Sequence, residues 1–218
     1  MSLKEKIEIP KYSLGEEIMS AVTHGVGALL SIAALVLCVI FSAINGPVLS
    51  VVSSAIYGST LIILYTMSTL YHSLKINNAK RIFRIIDHCS IYLLIAGTYT
   101  PYTLLVLPKN VGIPLFILIW SIAILGIVLN SINLKKFKVI SFISYLILGW
   151  AIIFAFKPLI DNLSTGGLIF LIAGGICYTV GCIFYGFGKK LKYMHSIFHL
   201  FVLAGSVLHF FSILLYVI

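Results

Sequence analysis

Long apolar runs broken by short polar stretches dominate this chain. Seven can be read, near residues 18–41, 47–72, 83–107, 113–130, 139–156, 166–187 and 194–217. A helix needs roughly 20 apolar residues to cross a hydrocarbon core about 30 Å thick. The runs are apolar around most of their circumference, as helices facing lipid are. Breakers separate several of them: Asn45-Gly46-Pro47, Pro108 to Gly112, Lys157-Pro158 with Asp161-Asn162, and Gly186 to Lys192. The pattern predicts an all-α polytopic membrane protein with seven transmembrane helices. A single domain covers residues 1–218, with a short polar N-terminal segment at 1–17.

Composition supports this picture. The 218 residues are 61% hydrophobic and 10% charged, against about 25% charged for a soluble domain. Too few charges remain to wet a globular surface, and seven spans leave no length for a separate soluble domain. No cleavable leader is expected, because residues 1–11 are polar and the first apolar run outlasts a short leader core.

The net charge of +9 reads as topology. With seven spans, one side receives Lys4, Lys6, Lys11, Lys75, Lys80, Arg81, Arg84, Lys135, Lys136, Lys138, Lys189, Lys190 and Lys192. The other receives only Lys109 and Lys157. Cytoplasmic loops collect Lys and Arg, so the N-terminus is expected in the cytoplasm and the C-terminus outside. A six- or eight-span count would mix the basic loops between sides. With no basic soluble face, no nucleic-acid partner is expected.

Cys38, Cys89, Cys177 and Cys182 form no CxxC pair and read as small buried hydrophobes. Gly25, Gly27, Gly97, Gly126, Gly149, Gly174, Gly175 and Gly181 read as close helix contacts.

Ionisable groups inside spans are costly, so each is a functional candidate. Glu16, Glu17 and His24 fall at the start of the first run, and His72 ends the second. Asp87 and His88 begin the third, and His195 and His199 the last. All are expected at the cytoplasmic ends of their helices. His195 and His199 stand four apart and share one helix face. Such a pair can hold one metal ion, with His72 as third ligand at the same depth and one position left open. Asp87 suits a carboxylate that takes a proton from bound water. Ser68, one turn before His72, can hydrogen-bond the site or a substrate oxygen, although spacing alone favours a bond back to its own helix. Asp87 can equally pair with Arg84. His24 and Glu17 share a face; His24 can be a fourth ligand, a partner behind the ligands or a packing contact. Glu16 and Glu17 also suit the positive end of a helix. His88 is expected to pack beside the site. His209, about 15 Å beyond His199 along the helix, reads as a hydrogen-bonded interior residue.

These positions form an ordered set: Glu16-Glu17 with Thr23-His24-Gly25-Val26-Gly27, Ser68-Thr69-Leu70-Tyr71-His72, and Asp87-His88 followed by Ile91-Tyr92 and Gly97-Thr98-Tyr99-Thr100-Pro101. The last member is His195-Ser196-Ile197-Phe198-His199. With them the chain resembles the hemolysin III family, the bacterial branch of the progestin and adipoQ receptors, over nearly its whole length. The resemblance implies seven helices with the N-terminus inside. It also implies a zinc ion on the histidines at 72, 195 and 199, with Asp87 and Ser68 in the same site. Adiponectin receptors and alkaline ceramidases belong to the same superfamily, proposed to be membrane metal-dependent hydrolases.

Three functions follow as expectations. The first is a zinc-dependent hydrolase of a lipid amide or ester at the cytoplasmic side of the cell membrane, the bacterial inner membrane, serving lipid homeostasis; Asp87 is its base and Ser68 its donor. The second is a non-catalytic, receptor-like regulator with structural zinc. The third is a pore, disfavoured because the outer halves of the helices offer few polar groups.

Overall fold

A computed structural model describes residues 7–188 and 191–218. Of the basic residues used for topology, Lys4, Lys6, Lys189 and Lys190 lie outside the described residues. The described residues are helical throughout, with short connections.

Helix α1, Leu14–Asn45, starts at a capping box. The Ser13 hydroxyl accepts the Glu16 amide at 3.4 Å, and the Glu16 carboxylate accepts the Ser13 amide at 2.8 Å. Two otherwise unpaired donors are satisfied together. Pro47, which cannot continue α1, starts α2, Val48–Ser73. Helix α3, Asn78–Pro101, is capped by Asn77, whose side-chain oxygen accepts the Lys80 amide at 2.8 Å. Beyond Pro101 the chain widens into a π turn, Tyr102–Val106. Helix α4 is Lys109–Gly149, followed by a 3₁₀ turn at Ala151–Ala155 and the short α5, Phe156–Asn162. Helices α6, Thr165–Phe187, and α7, Met194–Tyr216, complete the bundle.

Six helical stretches are long and apolar enough to cross a membrane. The fourth, residues 109–162, has 54 residues. At 1.5 Å per residue a straight helix of that length would reach about 80 Å, more than twice the hydrocarbon thickness. It is not straight. Asn133 has non-helical angles, φ −161° and ψ 91°. Its side-chain oxygen accepts the Lys136 amide at 2.9 Å and so caps a new helical arm. The expected polar loop between runs four and five is thus a one-residue kink.

Helix α1 packs against α2 and α7, α2 against α3, α3 against α4, and α6 against α7. This brings the start of α1, the end of α2 and the start of α7 together. Glycines permit several close approaches. A Cβ at Gly27 would strike Tyr65, one at Gly97 Thr60, one at Gly126 Tyr92 and one at Gly174 His209, but nothing faces Gly149. Buried tyrosines tie the helices: Tyr65 donates to Ser206 at 2.7 Å and Tyr102 to Ser212 at 2.7 Å. Without water, such hydroxyls must find partners across helices. Ile, Leu and Val side chains cover the outer surface, as lipid contact allows.

Candidate metal centre

The cluster forms where α1, α2 and α7 meet. His195 and His199 project from the first two turns of α7, and His72 from the last turn of α2. All three are buried, and one ring nitrogen of each lies within 4.8 Å of the others. His195 Nε2 stands 3.4 Å from His72 Nε2 and 3.1 Å from His199 Nε2.

Proton accounting shows what this geometry asks for. The Glu17 carboxylate lies 2.7 Å from His72 Nδ1. An ionised carboxylate only accepts, so Nδ1 carries a proton, and whenever the ring holds no second proton its Nε2 presents a lone pair. His195 Nε2 then cannot form straight hydrogen bonds to both neighbours while the rings are neutral: with its proton it donates once, and without it faces a lone pair on His72. A cation shared by three lone pairs removes the conflict. Nitrogens bound tetrahedrally at about 2.0–2.1 Å stand roughly 3.3–3.4 Å apart, close to the His195–His72 and His195–His199 spacings, while the set as a whole lies within 4.8 Å. The three histidines therefore form a donor set that could hold a metal ion.

The support behind the histidines is built from charge. Glu17 also accepts from the Lys80 ammonium at 2.6 Å, and Lys80 donates to the Leu74 carbonyl at 2.9 Å. Lys80 is 1% exposed and Arg84 5%, so these two basic residues are buried in the bundle and are not the loop charges that the topology expects. Arg84 donates to the Tyr71 hydroxyl at 3.0 Å, and the Tyr71 ring meets His72 edge-on. Glu16 closes the capping box and accepts the Tyr193 amide at 2.8 Å, which holds Tyr193 in the left-handed region at φ 63° just before α7. Ser20 and Ser196, both buried, meet at 3.0 Å across the α1–α7 seam.

His24 stacks on His199, with ring centroids 3.7 Å apart, and neither of its nitrogens has a partner among the described residues. It therefore makes a packing contact with the His199 ring and is not in the group of described residues that could hold an ion. Ser68, 1% exposed, makes no hydrogen bond to another described residue, whereas its neighbour Thr69 bonds back to Tyr65. The expected back-bond belongs to Thr69. Asp87 is paired not with Arg84 but with His88, at 3.3 Å. His209 lies apart from the cluster, its Nε2–H donating to the Leu171 carbonyl at 3.0 Å.

A cavity of about 180 Å³ opens from the cluster between α2, α3, α4, α6 and α7. His24, Ser68, Asp87, His195 and His199 line one end, and His209 lines it too. Between them the walls are largely apolar, including Leu64, Ile91, Leu94, Phe198 and Val202. One residue packed against the cluster had no signal in the sequence. Tyr12, ahead of α1, stacks on His195 at 4.7 Å and an interplanar angle of 10°. Burial holds its phenol well above the usual value, so it stays neutral.

The chain matches the family described as Haemolysin-III related over residues 12–210. It is 44% identical over 216 residues to Hemolysin-3 of Bacillus cereus, covering 99% of this chain and 98% of that one. It is 46% identical over 205 residues to the Hemolysin-3 homolog of Bacillus subtilis (strain 168), covering 94% and 96%. A more distant relative is the human monocyte to macrophage differentiation factor, 28% identical over 170 residues, or 74% of this chain and 69% of that protein. No solved structure matches. The match over most of the chain, with these two bacterial relatives, shows that the protein belongs to the haemolysin-III-related family of multi-pass membrane proteins.

Proposed function

We propose that this protein is a zinc-dependent hydrolase of lipid amide or ester bonds, working at the cytoplasmic side of the cell membrane and linked to membrane lipid homeostasis. The observation that carries this reading is the convergence of three histidine ring nitrogens beside a mostly apolar cavity that also holds Asp87 and Ser68. His72, His195 and His199 hold the ion. When bound, zinc supplies Lewis-acid polarisation of a carbonyl and lowers the pKa of water. Glu17 fixes the ring of His72 by taking its Nδ1 proton in a hydrogen bond, as carboxylates do behind metal-bound histidines. Asp87 Oδ2 faces His88, leaving Oδ1 to accept a proton from water. The Ser68 hydroxyl, which bonds no other described residue and is buried, donates to the substrate carbonyl oxygen. The apolar walls accept the acyl chain and keep bulk water out.

The same reading places seven crossings in the membrane, with Asn133 as the turning point of the fourth and fifth and the N-terminus in the cytoplasm. For a bacterial protein that membrane is the inner one.

A second reading has one observation in its favour. Tyr12 covers His195 from the bundle end, as suits a buried structural zinc in a non-catalytic regulator. The cavity end of the cluster stays open, which favours catalysis. The names of the bacterial relatives raise a pore as a third possibility, but the apolar walls at Leu94, Ile95 and Val202 would resist water and ions.

The test combines metal analysis with lipid products. Purified full-length protein is expected to carry about one zinc per chain, lost in His195→Ala/His199→Ala. A screen of lipid amides and esters is expected to find fatty-acid release that Asp87→Asn abolishes with zinc retained. Zinc kept by the double variant overturns the site. Turnover unchanged in Asp87→Asn overturns the general base. Liposome leakage independent of zinc would support the pore.

A further inference from the structure

A second cavity, of about 280 Å³, lies beside the first. Its wall includes Glu8, Lys11, Tyr12, Arg84, Lys135 and Lys138. The two cavities share His88, Leu134 and Lys138 as lining residues. A basic vestibule thus adjoins an apolar chamber at the bundle end where the basic loops gather.

Arg84 is the informative residue. It is 5% exposed, its Nη1 donates to the Tyr71 hydroxyl, and its Nε has no partner among the described residues. None of the ion pairs among the described residues involves it. Its nearest carboxylate candidate by sequence, Asp87, is engaged by His88. Buried cations are as a rule paired or ligand-bound, and a planar guanidinium matches the oxygens of a phosphate. The kink adds to the same field. Asn133 caps the arm that follows it, so the positive end of that arm, with Lys135 in its first turn and Lys138 in its second, faces the vestibule. Lys11 faces it from the N-terminal segment. Glu8 is the one carboxylate on the wall, and it is exposed.

We propose that this vestibule binds the phosphate group of an anionic lipid, with the acyl chain entering the adjoining apolar cavity. Arg84 is the buried anchor, and Lys11 and Lys135 supply the rim. The shared lining makes one amphiphile the natural occupant of both spaces. The inference deepens the proposed function by giving the lipid a charge and a headgroup class, yet it rests on the vestibule alone. It stands whether or not the histidines hold zinc.

The test is binding to full-length protein in neutral detergent, followed by native mass spectrometry and thermal shift. The probes are 1-palmitoyl-lysophosphatidylglycerol, monopalmitoylglycerol with the same chain but no phosphate, and inorganic phosphate. The phosphate lipid is expected to bind at least about tenfold more tightly than the neutral one. Lys11→Ala/Lys135→Ala, both exposed positions, is expected to weaken it about 30-fold at low salt, from the usual contribution of a lysine beside an anionic headgroup. Arg84→Gln is expected to abolish selectivity for phosphate. Lys75→Ala/Lys136→Ala removes two exposed basic residues that do not line the vestibule and is expected to change little. Equal binding of the two lipids overturns the proposal, and equal losses in the two double variants reduce it to general surface attraction and overturn it as well. Protection by inorganic phosphate as strong as that by the lipid overturns the lipid as source. Zinc content, measured on the same samples, separates failure here from failure of the metal site.

Discussion

Glu17 joins two buried partners, and replacing it by glutamine tests the support of the centre. Its Oε2 accepts from His72 Nδ1 at 2.7 Å and its Oε1 from Lys80 at 2.6 Å. Hydrogen bonds to charged groups contribute about 1.5–3 kcal/mol each, and neutral ones about 1 kcal/mol. In Glu17→Gln the amide oxygen can keep the His72 bond at neutral strength. The amide nitrogen then faces an ammonium, and neither group can accept. Lys80, 1% exposed, keeps the Leu74 carbonyl as its one hydrogen-bond acceptor among the described residues, beside the Tyr71 ring. Breaking a buried pair on one side costs about 3–5 kcal/mol. The Glu17 side chain is 16% exposed, so some water screens the loss, and a destabilisation of about 3 kcal/mol is expected. The weaker grip on His72 is expected to lower zinc affinity about 10–100-fold. The assays are denaturant unfolding of purified protein in mild detergent and competition with a chromophoric chelator. A second change separates the effects. Adding Lys80→Met removes the stranded ammonium, so stability recovers in part while zinc affinity stays low. The reasoning is refuted if Glu17→Gln stays within about 0.5 kcal/mol of the parent, the scatter of ordinary surface changes, and binds zinc within about threefold.

Other expectations follow from individual contacts. Tyr12→Ala uncovers His195 and is expected to speed zinc removal by a chelator about tenfold, an order set by the loss of one stacked aromatic contact, while Tyr12→Phe keeps the parent rate. Gly97→Ala drives a methyl into Thr60 and is expected to cost about 1–3 kcal/mol in unfolding; Gly149→Ala, with nothing facing it, is expected to be neutral or slightly stabilising because alanine favours helix. Asp161→Asn breaks an ion pair that is 89% and 55% exposed, and denaturant titration is expected to show no resolvable change.

The helical class was legible because lipid imposes a simple rule. Every backbone group must be satisfied within its segment, so a sustained apolar run commits a helix before any neighbour is known. The sites of breakage were less legible. Pro47 and Pro108 end helices by steric necessity. Asn133 turns the chain within a single residue because its own side chain replaces the missing backbone acceptor for Lys136; Lys135, Lys136 and Lys138 mark a break in the sequence without marking the residue at which the chain turns. Lys80 and Arg84 show the limit from another side. As letters they are two more basic residues near a loop, and only the approach of Glu17 and Tyr71 from other helices explains their burial.

By itself the sequence determined which residues must avoid lipid and which helix ends they occupy, because helical rise and the cost of buried charge depend only on order along the chain. It therefore led to the expectation that His72, Asp87, His195 and His199 share one depth, with Ser68 one turn deeper. It also determined that His195 and His199 share a face, because that follows from helical pitch. Only the tertiary structure decided that Glu17 grips His72 from behind, that His24 stacks on His199, that Tyr12 covers His195 and that Arg84 looks into a vestibule. Those relations depend on the rotation and approach of α1, α2, α3 and α7, which glycine clearances and buried hydroxyl pairs set across the bundle. Periodicity along one helix carries no record of its neighbour's rotation.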